Sequence, residues 1–275
     1  LGGFGLNVRT EDIARFGQLY LQKGQWRGKQ LIPAAWVEAA TARQMSNGSA
    51  PTSDWEQGYG YQFWRCRHGF YRGDGAHGQF CLVLPQYDTV IAITSGTRDL
   101  RAVPDLIWET IVPLLEPQAR PADAAAVTRL RERLAGLSLR RPKAITTPPL
   151  AAAIAGKRFV FPRNPQAIEA IALTPAGEGS QATNLVVTIE GADQRVTVSG
   201  ARWQKEELSV GPIAGTVALS GAWTAPDTFS LELVRYRTPF AASCQMKFAG
   251  DQVTLETKPN VGPAAAFPAI VGRRE

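Results

Sequence analysis

The sequence is short of the side chains on which most metal and redox chemistry depends: its 275 residues include three cysteines and two histidines. Cys66, Cys81 and Cys244 form no CxxC pair and no Cys/His cluster at metal-ligand spacing, so no zinc site and no other metal site is expected, and no cofactor either. Cys66 and Cys81 fall on neighbouring expected strands; they either face each other or remain buried free thiols, and the free thiols are the expectation. No run of 18 or more apolar residues occurs, which excludes a transmembrane helix, and no secretory signal is visible. Also missing is a basic stripe with interleaved aromatics. The formal charge is +6 and the pI about 9.4, but the cations are scattered, with "TRLRERL" and the following "LRRPK" as the densest run. This reads as a mildly basic solvated surface, and nucleic acid is not an expected partner.

What is present is the composition of a folded chain, 44% hydrophobic and 20% charged. The opening "LGGFGLNVRTEDIARF" reads as the middle of a domain, a glycine-rich loop leading into a helix. Thr10 is placed to cap that helix, Glu11 and Asp12 suit its first turn, and Ile13, Phe16, Leu19 and Tyr20 recur at helical spacing, which predicts a helix over 11–22. Pro33 suits the first position of a second helix, "PAAWVEAATA", and 45–57 reads as a surface loop. Aromatic and β-branched runs then predict antiparallel strands at 59–66, 69–73, 78–85 and 89–96, with a turn over Gly73–His77 and a helix opened by Pro104 to cover one face.

Beyond Glu116 the composition shifts. "PADAAAVTRLRERLAGL" predicts a helix with Asp123 at its N-cap and Val127, Leu130, Leu134 and Leu137 on one stripe, and "RRPKAITTPPL" reads as a semi-rigid linker. From 151 on, "NLVVTIEG", "RVTVSGARW", "GTVALSGAW", "TFSLELVRY", "SCQMKFAG" and "QVTLET" alternate apolar and polar residues between turn residues. The expected fold class is therefore α+β, an antiparallel sheet covered by helices, followed by an all-β barrel or sandwich of lipocalin-like form. The expected divisions are 1–117, a helix and linker over 118–150, and a barrel-like domain over 151–275.

With "GLNVRTEDIARFGQLYLQKGQWRGKQLIPAAWVEAAT", "GYGYQFW" and "GAHGQFCLVLPQYDTVIAITSG" in this order, residues 1–117 resemble the C-terminal part of a serine hydrolase. The superfamily is that of class C β-lactamases, penicillin-binding proteins and esterases, with the nylon-oligomer hydrolases among its members. The resemblance implies a β-lactamase-like fold, incomplete in this chain. It also implies a Ser nucleophile in S-x-x-K, a Tyr in Y-x-N or Y-x-S, and a third motif, K-T-G or a variant such as H-x-G, on a cleft strand. Neither of the first two motifs occurs in these 275 residues; in the family they lie N-terminal to the matching stretch.

"AHGQ" aligns with the third motif, Ala76 at the Lys position, His77 at the Thr, Gly78 at the Gly and Gln79 after it; a slip of one residue would put His77 at the Lys position. The resemblance then implies that Gly78 lets a substrate approach the strand and that the Gln79 backbone N–H is one oxyanion donor, the other belonging to the missing Ser. Ala76 brings no cation for a substrate carboxylate, which points from penicillins towards esters, amides or small peptides. His77 is read as lining the cleft, against the plainer reading that it caps a turn. Asp74 in "RGDG" is read as turn chemistry, His68 as an exposed turn residue, and Arg98, Asp99 and Arg101 as surface and helix-start charges.

The function expected is hydrolysis of a small-molecule ester or amide through an acyl-enzyme, in the periplasm or outside a bacterium by family resemblance. The chain alone is expected to be inactive. Its sheet is expected to have an open edge, covered by the missing N-terminal portion or by an oligomer partner. The alternative is a non-catalytic module whose β-domain binds a partner or hydrophobic ligand.

Overall fold

A computed structural model describes residues 5–116, 121–177, 179–209, 214–262 and 267–275. The glycines expected to open the chain at 2–3, and the expected division at 117–118, lie outside the described residues. By its internal contacts the chain divides into two units, Leu1–Glu132 and Arg133–Glu275.

In the first unit, α1 (Thr10–Leu21) is followed by a minimal hairpin, β1 (Gln25–Trp26) and β2 (Lys29–Gln30), and by α2 (Ala34–Thr41). Both helix starts differ from expectation: Arg9 and Pro33 are the flanking residues, and neither end has a side-chain cap. The Thr10 hydroxyl instead meets the Thr94 hydroxyl at 2.9 Å. Among the described residues one antiparallel sheet follows, in the order β3 (Trp64–Arg65), β4 (Tyr71–Gly75), β5 (Gln79–Leu84), β6 (Thr89–Ile93). The strand expected over 59–66 shrinks to β3, because Gln62 takes a left-handed φ of 67° and Tyr59 folds back to bridge both Met45 and Trp64.

Burial on both faces explains the unbroken apolar run of β5. Phe80, Leu82 and Leu84 join Cys66, Phe70 and, from α3 (Ala102–Thr110), Ile107 and Trp108; Val83 points the other way, to Tyr20 of α1, Val37 and Ala40 of α2, Phe63 and Tyr71. Gly17 lets α1 sit close to the sheet, since a Cβ there would lie 2.6 Å from Val90 Cγ1 and 2.8 Å from Cys81 Sγ. Cys66 and Cys81 therefore look to opposite faces, and all three cysteines are free. β6 is an end strand, laddered to β5 alone among the described residues.

α4 (Ala124–Ala135) is capped as the sequence predicts, the Asp123 carboxylate accepting the Ala126 N–H at 2.9 Å. In the second unit α5 (Pro149–Ala153) leads into β7 (Arg158–Val160), β8 (Ile168–Pro175), β9 (Thr183–Ile189) and β10 (Ala192–Val198). These are followed by β11 (Gln204–Leu208), β12 (Gly215–Ala225), β13 (Thr228–Val234), β14 (Ala241–Ala249), β15 (Gln252–Pro259) and β16 (Ile270–Arg274). Among the described residues these ten strands form one antiparallel sheet in the order β10-β9-β8-β7-β16-β15-β14-β13-β12-β11. The sheet is a nearly closed barrel: β7 pairs with β16, and at the seam Gln194 Oε1 of end strand β10 accepts at 3.1 Å from the main-chain N–H of Ser209, the residue that follows end strand β11. The segment expected as a linker is tied to this barrel, the Ile145 N–H bonding to the Trp223 carbonyl at 2.9 Å.

Aromatic side chains fill the barrel. Phe159, Phe161, Trp223, Phe229, Met246 and Phe248 share one core, with Phe159 and Phe248 rings 5.3 Å apart and Trp223 5.7 Å from both Phe229 and Phe248. Gly221 makes room for one of them, since a Cβ there would stand 3.0 Å from the Phe229 ring.

Candidate functional site

The candidate segment forms the end of the β4–β5 hairpin. Gly75 pairs with Gln79, leaving Ala76, His77 and Gly78 as the tip, with His77 at φ 66° and Gly78 at φ 85°. Ala76 is exposed, His77 and Gln79 are half-buried, and Gly78 is buried. The strand thus starts at Gln79, one residue later than expected, and the turn lies over 76–78 rather than 73–77.

Residues 95–97, just beyond β6, clamp this tip. The Ser95 hydroxyl shares its one proton between the carbonyls of His77 (3.0 Å) and Gly78 (2.8 Å), and the Thr97 N–H donates to the His77 carbonyl at 3.1 Å. The Gln79 side-chain amide donates back to the Ser95 carbonyl. A Cβ on Gly78 would lie 2.3 Å from Ser95 Oγ, so glycine is required here by both the positive φ and the neighbouring strand end, without reference to a substrate. Ser95 is the hydroxyl touching the motif, but its proton is committed to the main chain and it forms no nucleophile–base pair.

Beneath the tip lies a polar network inside the sheet. Arg72 and Asp74 fall on one face of β4 by strand alternation, and Arg72 is completely buried. Its guanidinium contacts Asp74 Oδ2 at 2.9 and 3.0 Å, donates to the Asp54 carbonyl at 2.8 Å and to Cys66 Sγ at 3.1 Å, and lies 4.7 Å from the Trp55 ring centroid. Asp74 is therefore a strand residue in an ion pair and not a turn former. Burial lifts its carboxyl above the ordinary range more than Arg72 and Trp55 lower it.

A second cluster ties the strand loop to α3. Burial would raise the Asp54 carboxyl, but hydrogen bonds from the Arg67 side chain, the Trp108 indole (2.8 Å) and the Arg67 main chain (2.9 Å), with the Arg67 charge, outweigh it and hold the group low. Arg67 also pairs with Asp105 of α3. Asp99 accepts the N–H groups of Arg101 and Ala102 at the start of α3, and Arg101 reaches Asp105 at 3.6 Å. His68 is exposed and packs edge-on to Trp108, 5.6 Å between rings.

The expected site residues Gln79, Gly78 and His77 are thus together at a half-exposed hairpin end. Ser95, Thr97 and the Arg72–Asp74 pair were missed by sequence reasoning. The pair had one visible signal, the i, i+2 spacing of opposite charges in a strand; the clamp had none. Among the described residues no group of three or more His, Cys, Asp or Glu is arranged to hold a metal ion.

No family model matches this sequence. A stretch of 101 residues is 30% identical to the 6-aminohexanoate-dimer hydrolase of Paenarthrobacter ureafaciens, covering 34% of this chain and 26% of that protein. The chain thus spans about a quarter of the length of the curated relative it matches. Among solved structures, the Schistosoma mansoni fatty acid binding protein in complex with arachidonic acid superposes with a TM-score of 0.36 at 10% identity, over 46% of this chain and 98% of that one. The octameric penicillin-binding protein homologue from Pyrococcus abyssi gives a TM-score of 0.29 at 10% identity, over 95% of this chain and 46% of that one. Over one stretch of its sequence the chain is thus similar to part of a hydrolase.

Proposed function

We propose that this polypeptide is the C-terminal portion of a β-lactamase-like serine hydrolase that cleaves a small ester, amide or peptide bond through an acyl-enzyme. The single observation that carries the reading is the 30% identity over 101 residues to a 6-aminohexanoate-dimer hydrolase. It is supported by the position of residues 76–79 at a half-exposed hairpin end, with Ala76 exposed and His77 and Gln79 half-buried.

In this reading the attacking Ser, with its Lys and Tyr, belongs to polypeptide outside these 275 residues, and the same polypeptide completes the sheet alongside β6. The Gln79 backbone N–H serves as one oxyanion donor, Gly78 shapes the strand end, and His77 lines the cleft. The clamp from Ser95 and Thr97 holds the segment rigid, so that such a donor is oriented before the reaction begins. Ala76 offers no charge to a substrate carboxylate, consistent with neutral esters and amides. The reaction needs no cofactor, and an extracytoplasmic location follows from the same resemblance.

The second reading, a hydrophobic ligand held inside the barrel, has less support. The likeness to a fatty acid binding protein is one of low superposition, and the interior is occupied by ring-on-ring contacts of Phe159, Trp223, Phe229 and Phe248.

The test compares this chain alone with the chain joined to its upstream polypeptide. Nitrocefin, p-nitrophenyl esters and a linear amide dimer serve as substrates, and a fluorophosphonate as label. The chain alone is expected to be silent, and the joined protein to hydrolyse ester or amide and to label upstream of Leu1. Labelling of a serine within 1–275, or a joined protein without any hydrolysis, would overturn the proposal.

A further inference from the structure

α4 is a capped twelve-residue helix with no buried side chain. Its apolar stripe stands in solvent: Val127 is 45%, Leu130 57% and Leu134 55% exposed, and the stripe continues past the helix end in Leu137 at 64% and Leu139 at 62%. A helix that hides nothing ordinarily carries polar residues all round, so a leucine stripe left open calls for a partner that covers it.

The charges around the stripe identify the kind of partner. At about 100° per residue, Arg131 and Arg133 fall on the two flanks of the stripe formed by Val127, Leu130 and Leu134, while Glu132 falls on the opposite face. Arg129 lies beyond Arg133 on the same side. Arg140, Arg141 and Lys143 follow directly. Residues 129–143 hold these six cations against one carboxylate, so this short segment accounts for +5 of the chain's formal +6. No ion pair is formed by Arg129, Arg131, Arg133, Arg140, Arg141 or Lys143 among the described residues.

We propose that α4 and the basic segment after it form an interfacial anchor, binding an anionic lipid surface. The leucines enter the boundary between headgroups and acyl chains, and the flanking arginines reach the lipid phosphates with their stems laid along the apolar face. A protein groove would also accept the leucines but gives no reason for arginines on both flanks with the carboxylate turned away. A nucleic acid would accept the arginines but leaves the leucines in water. A lipid surface satisfies both. This inference does not depend on the hydrolase reading.

The experiment is cosedimentation of the full 275-residue chain with vesicles of phosphatidylcholine alone and of phosphatidylcholine with about 30% phosphatidylglycerol, at low and at about 0.5 M salt. Binding is expected to the anionic vesicles, at least tenfold weaker to the neutral ones, and weakened by salt. Two double variants, Leu130→Gln with Leu134→Gln and Arg131→Glu with Arg133→Glu, change exposed side chains only and are checked by circular dichroism for retained fold. Each is expected to lower vesicle affinity about tenfold or more, whereas Glu132→Gln leaves it within about twofold or raises it. Three results overturn the proposal. One is no binding to anionic vesicles. Another is binding that the leucine variant does not change, which marks plain adhesion of a polycation, the behaviour that a single-stranded oligonucleotide would share. The third is a lipid-free dimer that the leucine variant dissolves, which gives the stripe to a second copy of the chain.

Discussion

The fully buried guanidinium of Arg72 meets the carboxylate of Asp74, two residues further along the same strand, at 2.9 Å. The contact explains why a sheet otherwise lined with Phe70, Phe80, Leu82 and Leu84 tolerates two charges. Removing one partner strands the other in an apolar layer, Arg72 as an unbalanced cation or Asp74 pushed further towards its neutral acid, and that loss is larger than the net worth of the pair. Arg72→Met and Asp74→Leu are each expected to cost about 3–5 kcal/mol in urea unfolding, and the double variant much less than their sum. Additive losses would show that the two side chains do not act as a pair.

Asp54 gives a pH signature. Its carboxyl is held below the ordinary range in the folded state, so its contribution to stability is present above the unfolded value of about 3.9 and is lost as pH falls through the lower folded value. The midpoint of urea unfolding is expected to drop more steeply with acid in the parent chain than in Asp54→Asn, with the gap between them narrowing at the acid end. Parallel curves would show that the Asp54 carboxylate does not stabilise the folded state.

Gly78 is constrained in two separable ways, by a φ of 85° and by Ser95 Oγ 2.3 Å from where a Cβ would stand. Gly78→Ala is expected to cost about 2–4 kcal/mol. In a Ser95→Ala background, which removes the Oγ contact but keeps the backbone strain and the Thr97 Cγ2 contact at 2.9 Å, the cost of Gly78→Ala is expected to be about half as large. A Gly78→Ala chain as stable as the parent would mean that the clamp does not press on the tip.

The thiols supply a chemical check of the sheet. Burial pushes Cys66 and Cys81 to about 11, in Cys66 against the lowering pull of Arg72 and in Cys81 against a hydrogen bond from the Gly17 main chain. Both are expected to resist a disulfide-exchange reagent at neutral pH in the folded chain, and all three cysteines to react after denaturation. Fewer than three thiols in urea would reveal a disulfide that the opposed directions of Cys66 and Cys81 exclude.

In the barrel, Gly221→Ala is expected to cost about 1–3 kcal/mol by overpacking against the Phe229 ring, read as a lower thermal midpoint of the second unit. An unchanged midpoint would show a looser interior than the ring contacts describe.

Much of the architecture was legible along the chain because it rests on local repetition. The spacing of Phe16 and Tyr20 marks α1, Asp123 marks the start of α4, and the alternation in "TFSLELVRY" and "QVTLET" marks β13 and β15. Where a neighbour in space decides, local pattern misled: Thr10, a good cap by type, turns to Thr94 instead, and the aromatic run over 59–66 breaks at Gln62 because Tyr59 is drawn to Trp64. The strands β7, β8, β11 and β16 were not read from the sequence, each being held in place by its partners.

The sequence alone therefore determined what a window of a few residues can encode: helix faces, strand alternation, the turn glycine at 78, and the order of elements over which a stretch is 30% identical to a hydrolase. Only the tertiary structure decided that β7, first strand of the barrel, pairs with β16, the last, that Arg72 is buried beneath the tip, that Ser95 grips His77 and Gly78, and that Val127, Leu130 and Leu134 of α4 are exposed among the described residues. Each of these joins residues far apart in the chain or depends on what fails to arrive, and the energy of such contacts is set by burial and geometry that no local spacing records.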